Sequence, residues 1–268
     1  MSAVLFRRTL MDRRRWLIGW TIGIIALVVV SLAFWPSLKD QGASLSEAID
    51  KMPESMKALF GMGGGLDPFS PIGYLASQIY SLMLPLLLLV AAIGFGAGLA
   101  SDEEHGLLEM TLGTPVSRSR VVVERFAALI AALLILAIVS FGSTAATVRA
   151  VNLGVGNAAI LWATVATAAL ALFGGTLSLA VGALTGRRSI AIAASSVIMI
   201  TSYLVTSLAA AGISFFKTLE PYSVFTLTDV VPTLQRGTPG AGVAALVGLT
   251  LITAVVAAWG FNRRDLRG

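Results

Sequence analysis

The stretch SDEEHGLLEMTLGTPVSRSR, residues 101–120, carries three consecutive carboxylates and the only histidine of the chain. Nearly uncharged segments flank it on both sides, each at least as long as the about 20 residues of α-helix that cross the hydrocarbon core of a bilayer. This arrangement indicates a polar connection between two membrane-spanning helices. The position of this polar stretch therefore sets where one predicted span ends and the next begins.

The composition of the whole chain agrees with a membrane-embedded fold. Of its 268 residues, 56% are hydrophobic and only 12% are charged, and the mean hydropathy is +0.87. Soluble domains typically carry about 25% charged residues. We therefore predict an all-α polytopic membrane protein with one transmembrane domain over residues 1–268. The six predicted spans cover about residues 16–35, 72–100, 122–148, 158–185, 190–212 and 243–261.

The basic residues predict the orientation of these spans. If both termini are cytoplasmic, most of the 19 Lys and Arg residues fall in cytoplasmic segments, as the positive-inside rule requires. This predicts a multi-pass protein of the cell (plasma) membrane. The sequence pI is 10.0, but the arginine cluster at residues 7–15 runs directly into a span. We therefore expect the lipid bilayer, and not nucleic acid, to be the partner of this charge.

Three segments outside the spans are predicted to be helical in part. Residues 1–15 are predicted to form an amphipathic elbow helix on the inner leaflet, because Phe6 and Leu10 recur among basic residues. The outside segments 36–71 and 213–242 are too long for simple turns. Their mixture of apolar residues and helix breakers predicts short interfacial or re-entrant helices between spans 1 and 2 and between spans 5 and 6.

The charged stretch itself has the signals of a short helix. Ser101 and Glu104 have the spacing of a capping box, which predicts a helix that begins at Ser101 with carboxylates in its first turn. Gly113 is a stop signal, and Pro115 suits the first position of the next helix. We therefore predict a helix over residues 101–114 that lies across the cytoplasmic ends of spans 2 and 3.

The same region resembles a known family. The stretch ASDEEHGLLEMTLGTPVSRSRVVVERF, residues 100–126, looks like the signature of permease subunits of ATP-binding-cassette (ABC) exporters of the second, six-helix type, in which an E-E-x-G-x-L-E run precedes a T-P-x-S-R turn. The preceding SPIGYLASQIYSLMLPLLLLVAAIGFGAG, residues 70–98, is also similar to that family. The matching positions are Glu103, Glu104, Gly106, Leu108, Glu109, Thr114, Pro115, Ser117 and Arg118.

The resemblance implies a coupling role for residues 101–114. In that family the first cytoplasmic connection docks on a separate ATP-binding subunit, so the implied assembly contains two copies of an ABC ATPase subunit and a second permease chain, identical or paralogous. The residues expected to couple are Asp102, Glu103, Glu104, His105, Gly106, Leu108, Glu109, Pro115 and Arg118. The chain lacks a G-x-x-x-x-G-K-[ST] loop. It is therefore expected to be no enzyme and to bind no cofactor, with ATP and Mg in the partner subunit.

The spans indicate the kind of substrate and a candidate pathway. Neutral spans with hydroxyl and aromatic side chains favour a hydrophobic or amphipathic small molecule, such as a drug, lipid or natural product, and a polysaccharide stays open. Hydroxyls can line such a pathway, although they can also bond to the carbonyl one turn back in their own helix. The candidate pathway residues are Ser140, Thr144, Thr147, Ser202 and Thr206.

Other functions have weaker support from the sequence. An ion-coupled secondary transporter usually carries ionisable residues inside the membrane, and none lies deep in the predicted spans. A non-transporting membrane scaffold or immunity protein is the other alternative. Glu104, His105 and Glu109 are metal-ligand types, but without a second histidine or an H-E-x-x-H motif we expect no metal site.

Overall fold

The computed structural model of the chain describes residues 4–39, 51–53, 56, 67, 69–108 and 117–264. Within these residues, all regular elements are helices. They are α1 (Val4–Asp12), α2 (Arg14–Ala33), α3 (Trp35–Lys39), α4 (Pro71–Leu75), α5 (Met83–Gly96), α6 (Gly98–Glu104), α7 (Arg118–Ala150), α8 (Asn157–Thr185), α9 (Arg188–Ala210), α10 (Ser214–Leu219), α11 (Val230–Arg236) and α12 (Gly242–Arg263), with a π-helical turn at Ala76–Tyr80 and 3₁₀ turns at Glu220–Tyr222 and Thr226–Thr228.

Six helical stretches among the described residues are long and apolar enough to cross a membrane. In chain order, spans 1 to 6 are Arg14–Leu38, Pro71–Glu104, Arg118–Ala150, Asn157–Thr185, Arg188–Ala210 and Gly242–Arg263. Each of them overlaps one predicted span, so the predicted all-α polytopic fold with six spans is confirmed. The assignment of residues 1–268 to a single domain stays a prediction.

Spans 2 and 4 form the centre of the bundle. In each of these two spans, 67% of the most apolar 18-residue segment is buried inside the bundle, against 17% of the corresponding segment in spans 1, 5 and 6. At their crossing, a Cβ atom on Gly96 would overlap the carbonyl oxygen of Gly175, so a larger residue would force the two backbones apart. Near the same crossing, Ser178 Oγ donates a hydrogen bond to the Ile93 carbonyl at 3.0 Å. This tight crossing gives the other spans a fixed core to pack against.

Helix α1 packs against the beginning of span 3. The Phe6 amide donates a hydrogen bond to Glu124 Oε2 at 3.1 Å, and the Thr9 side chain is buried. Phe6 and Leu10 also pack on the main apolar core. A helix therefore exists within the predicted elbow segment, although its position on the inner leaflet stays a prediction.

The two predicted outside segments differ in how much of them the structure describes. Most of 36–71 lies outside the described residues, so the helices predicted there are not placed. The segment 213–242 is described throughout and contains α10, α11 and both 3₁₀ turns. Its broken helical character agrees with the prediction, and its location at the outer interface stays a prediction.

Candidate functional site

The three consecutive carboxylates lie in the last turn of span 2. Helix α6 ends at Glu104, and the chain turns away through Gly106 in the left-handed conformation, with φ of 69°. Carboxylates are unfavourable at this end of a helix, because its unpaired carbonyl groups carry partial negative charge. Asp102, Glu103 and Glu104 therefore need compensating partners from other parts of the chain.

This position corrects the predicted capping box. Ser101 lies inside α6 and does not begin a helix, and Glu104 ends that helix instead of occupying its first turn. The physical reason is tertiary packing: Leu99 and Ala100 are 1% and 0% exposed, and burying them continues span 2 past the local start signal. Helical conformation resumes at Leu107. The predicted helix over 101–114 is thus interrupted between Glu104 and Leu107.

Asp102 joins span 2 to span 3 and lies near the start of span 1. It forms an ion pair with Arg125, and both side chains are 22% exposed. The Arg13 guanidinium lies over the Phe95 ring, with its carbon 4.8 Å from the ring centroid. A side chain at Gly98 would overlap this guanidinium, so the glycine leaves the room that Arg13 occupies. Three spans therefore meet around one carboxylate.

The surroundings of Arg13 show why that carboxylate is needed. Burial lowers the pKa of Arg13 below its ordinary value, the positive charge of Arg125 lowers it further, and Asp102 acts in the opposite direction. Arginine nevertheless keeps its charge in proteins at neutral pH. Loss of the Asp102 charge would consequently leave two guanidinium groups close together without a carboxylate between them.

Glu103 joins span 2 to the end of span 6. It forms an ion pair with Arg264, and the two side chains are 5% and 18% exposed. Gly186 ends span 4 beside the pair with φ of 64°, where a Cβ atom would overlap the Arg264 guanidinium. Glu103 Oε1 and Arg264 Nε have no further hydrogen-bond partner among the described residues. The pair is thus shielded from water, and breaking it would leave a buried charge.

Glu104 joins span 2 to the start of span 5. Its Oε1 atom accepts a hydrogen bond from the Arg188 backbone amide at 2.9 Å, and Arg188 is the first residue of that span. A carboxylate at a helix N-terminus satisfies a free amide and complements the positive end of the helix dipole. The side chain of Glu104 therefore acts as a cap for a helix distant in sequence. Next to it, His105 Nδ1 lies 2.6 Å from the Ser101 carbonyl oxygen.

The other predicted coupling residues have different surroundings. Leu108 is 2% exposed and belongs to a second apolar cluster with Phe261 of span 6. Arg118, at the start of span 3, donates from Nη1 to the Arg264 carbonyl at 2.5 Å. Leu108 and Arg118 therefore hold the connection between spans 2 and 3 against the end of span 6. Glu109 and Pro115 lie outside the described residues.

The predicted pathway residues of span 3 do not belong to the lining of either of two cavities found between spans 2 and 5. Ser140 Oγ donates to the Leu136 carbonyl at 2.7 Å, and Thr147 Oγ1 donates to the Ser143 carbonyl at 2.8 Å. Thr144 is fully buried, and its hydroxyl lies close to that of Tyr80 in the interior of the bundle. Among the five predicted pathway residues, only Thr206 belongs to the lining of these cavities.

Ser202 and Thr206 of span 5 hold the segment that follows this span. Ser223 Oγ lies 2.7 Å from Ser202 Oγ and 2.6 Å from Thr206 Oγ1. Ser202 Oγ also accepts a hydrogen bond from the Val224 amide at 2.9 Å, and Thr206 Oγ1 lies 3.1 Å from Thr226 Oγ1. These neutral hydrogen bonds hold residues 223–226 against span 5.

The partners of the acidic turn were not predicted from the sequence. Four arginines surround this turn, and from the sequence they indicated only the orientation of the spans. The missed residues are Arg13, Arg125, Arg188 and Arg264. One signal was present: consecutive residues on an α-helix point about 100° apart, so three successive carboxylates at a bundle end require three separate partners.

The fold and the charged end define the class of protein: a six-span membrane protein whose spans are tied together beside the connection between spans 2 and 3. A family model described as ABC-2 family transporter protein matches residues 3–266. The chain belongs to this family of ABC-2 type transporter permeases, so the predicted resemblance is confirmed. No protein of curated function matches the chain. Permeases of this family are membrane subunits without a nucleotide-binding domain, and ATPase activity lies in a partner subunit.

Proposed function

We propose that the chain is the membrane subunit of an ATP-driven exporter that moves a hydrophobic or amphipathic small molecule, such as a drug, lipid or natural product. Membership of the ABC-2 transporter family supports the subunit assignment. One observation supports energy coupling through span 2 in particular. Three neighbouring carboxylates contact three different spans, since Asp102 binds span 3, Glu103 binds the end of span 6 and Glu104 caps span 5.

The proposed coupling has a docking part and a transmitting part. The connection that follows Glu104 docks on the ATPase subunit, through residues that include His105, Gly106, Glu109 and Pro115. Leu108 and Arg118 hold its base on the bundle through the contacts described above. When ATP binding and hydrolysis displace the docked connection, the last turn of span 2 moves with it. Asp102, Glu103 and Glu104 then transmit this displacement to spans 3, 6 and 5.

The proposed assembly contains two ATPase subunits and a second permease chain. ATP and Mg are bound by the ATPase subunits. Support for a large covered surface comes from spans 1 and 5, where Ile22 is 61% and Val197 is 62% exposed; lipid tails and a second permease chain are the partners that such apolar surfaces take in a bilayer. The protein lies in the cell membrane with its arginine-rich end facing the cytoplasm, in agreement with the positive-inside rule.

Two variants separate docking from transmission. The chain is co-expressed with its ATP-binding subunit, and co-purification, ATPase activity and export from vesicles are measured. Glu109→Arg is expected to lose the ATPase subunit, because it reverses a charge on the proposed docking side. Asp102→Asn is expected to retain the subunit and lose export, because it removes the ion pair with Arg125 inside the bundle. Lys217→Gln, at an exposed position near the other end, is the matched charge-removal control.

The outcomes distinguish the competing functions. Export that continues when the proton gradient is collapsed at constant ATP is expected for an ABC system, whereas an ion-coupled carrier would stop. If Glu109→Arg retains the ATPase subunit and full export, the docking assignment is wrong. If Asp102→Asn loses the ATPase subunit as completely as Glu109→Arg, the carboxylate belongs to the docking surface and not to the transmitting contacts.

A further inference from the structure

A small apolar cavity lies between spans 2 and 5. Its volume is about 110 Å³, and leucine, isoleucine and valine side chains form most of its lining together with Met199. Three of the lining residues, Leu86, Val90 and Ile200, are 49%, 52% and 56% exposed. The cavity therefore opens on the outer surface of the bundle, where a membrane helix meets lipid tails.

A larger cavity of mixed polarity lies next to it, toward the end of the bundle opposite the acidic turn. Its volume is about 230 Å³, and hydroxyls from spans 2 and 5, including those of Ser81 and Thr206, belong to its lining. The lining includes two acidic residues, Glu220 and Asp229, and no Lys or Arg among the residues that the structure describes. A cavity lined in this way has a negative potential, which favours a cation.

One aromatic pair separates the two cavities. Tyr203 and Phe225 belong to the linings of both, and their ring centroids are 5.3 Å apart with the planes inclined at 67°. Phe225 lies in the segment that Ser202 holds through the Val224 amide. The boundary between the cavities therefore consists of one side chain on a span and one on a short segment held by hydrogen bonds.

We infer that the two cavities form one binding site for an amphipathic cation. Its apolar body fills the smaller cavity, and its positive head group lies in the larger cavity near Glu220 and Asp229. The faces of Tyr203 and Phe225 add a favourable interaction, because aromatic rings attract cations. An anion with the same tail is excluded by the two carboxylates. Naming this cation as the exported substrate rests on the proposed function, whereas the binding itself does not.

The test uses a single thiol. Because the chain contains no cysteine, Ser196→Cys places one thiol in the smaller cavity. The variant is placed in phosphatidylcholine nanodiscs without any ATPase subunit, and its reaction rate with N-ethylmaleimide is measured with dodecyltrimethylammonium or dodecyl sulfate below micellar concentrations. At a free concentration about four times its Kd, the cation is expected to slow the reaction about fivefold by mass action. The sulfate is expected to leave the rate unchanged.

Two controls identify the origin of this protection. Val197→Cys, one residue further along span 5, is 62% exposed and lies outside both linings, so neither amphiphile is expected to protect it. Glu220→Gln with Asp229→Asn, combined with Ser196→Cys, is expected to require about tenfold more dodecyltrimethylammonium for the same protection, because the cation loses its charge partners. Thermal unfolding of this variant checks that it remains folded.

Two results would overturn the inference. Equal protection by both amphiphiles would mean that the smaller cavity accepts any acyl chain, including a lipid tail, without charge selection. Protection by neither would mean that the cavities do not bind such a ligand. Because no ATPase subunit is present, both results leave the proposed transporter function untouched. If only the cation protects the thiol but the chain never associates with an ATPase subunit, the binding site is supported and only its role in export is wrong.

Discussion

At the acidic turn, Asp102 and Glu103 bind Arg125 and Arg264 in poorly exposed ion pairs, whereas at the opposite end Ser202 and Ser223 join their segments through neutral hydroxyls. The difference has an energetic consequence. Removing one member of a buried ion pair leaves an uncompensated charge, but removing a hydroxyl costs only one or two neutral hydrogen bonds. We therefore expect the acidic turn to move as a unit and the opposite end to rearrange more readily.

That difference suits an ATP-driven exporter. A contact that transmits displacement must remain intact while the spans move, and a buried ion pair has this property because its separation is costly in low dielectric. A segment that borders a ligand cavity must release and re-form its contacts during each cycle, for which hydroxyl–hydroxyl bonds are better suited. Four predictions test this comparison, in order of decreasing effect.

The largest effect is expected at Glu103. Glu103→Ala leaves the guanidinium of Arg264 buried beside Gly186 without its carboxylate, and is expected to destabilise the protein by about 4 kcal/mol. Thermal or denaturant unfolding in detergent measures this loss. Glu103→Leu combined with Arg264→Met is the matched control, since it removes both charges and is expected to recover most of the stability. Equal losses in the single and double variants would contradict the importance of the buried pair.

A smaller effect is expected at Asp102, whose side chain is more exposed than that of Glu103. Asp102→Asn leaves Arg13 and Arg125 adjacent, and is expected to cost about 3 kcal/mol. Asp12→Asn is the matched control, because Asp12 forms an ion pair with Arg8 on the surface, where the side chains of Arg8 and Asp12 are 72% and 69% exposed. Surface pairs contribute about 0–1 kcal/mol. Equal destabilisation by Asp102→Asn and Asp12→Asn in the same unfolding experiment would contradict the proposed importance of the ion pairs at the acidic turn.

The sequence was sufficient for the architecture but not for these contacts. Hydropathy predicted six spans, because span length and composition are properties of each segment alone. The partners of Asp102 and Glu103 are at positions 125 and 264, so their pairing depends on how spans 3 and 6 pack against span 2. The capping signal at Ser101 was misleading for the same reason, since burial of Leu99 and Ala100 extended the preceding helix.

The candidate cavities show the same limit. The sequence identifies hydroxyl residues in the spans, but it does not distinguish Ser140, which bonds within its own helix, from Thr206, which lines a cavity. Both are hydroxyl residues in apolar spans. Only the rotation of each span relative to its neighbours separates them, and a hydroxyl can satisfy its hydrogen bond locally on any face of a helix.

A moderate effect is expected at Ser202. Ser202→Ala removes the acceptor for the Val224 amide and one partner of Ser223, and is expected to destabilise the protein by about 2 kcal/mol. Thr201→Ala, at an exposed neighbouring position, serves as the control and is expected to change stability little. Limited proteolysis of residues 213–242 gives a local readout, since the segment is expected to become more susceptible. Unchanged proteolysis in Ser202→Ala would show that other contacts hold this segment.

The smallest effect is expected at Glu104, which lies at the charged end but forms a hydrogen bond instead of a buried ion pair. Glu104→Ala frees the Arg188 amide at the start of span 5, and the loss of such a cap typically costs about 1 kcal/mol. Glu104→Gln retains an oxygen acceptor, so it is expected to lose less stability than Glu104→Ala in thermal unfolding. If the Gln variant loses as much as the Ala variant, the negative charge near the helix dipole is the main contribution. Glu104 would then resemble Asp102 and Glu103, and charge would hold the acidic turn to the spans at all three positions.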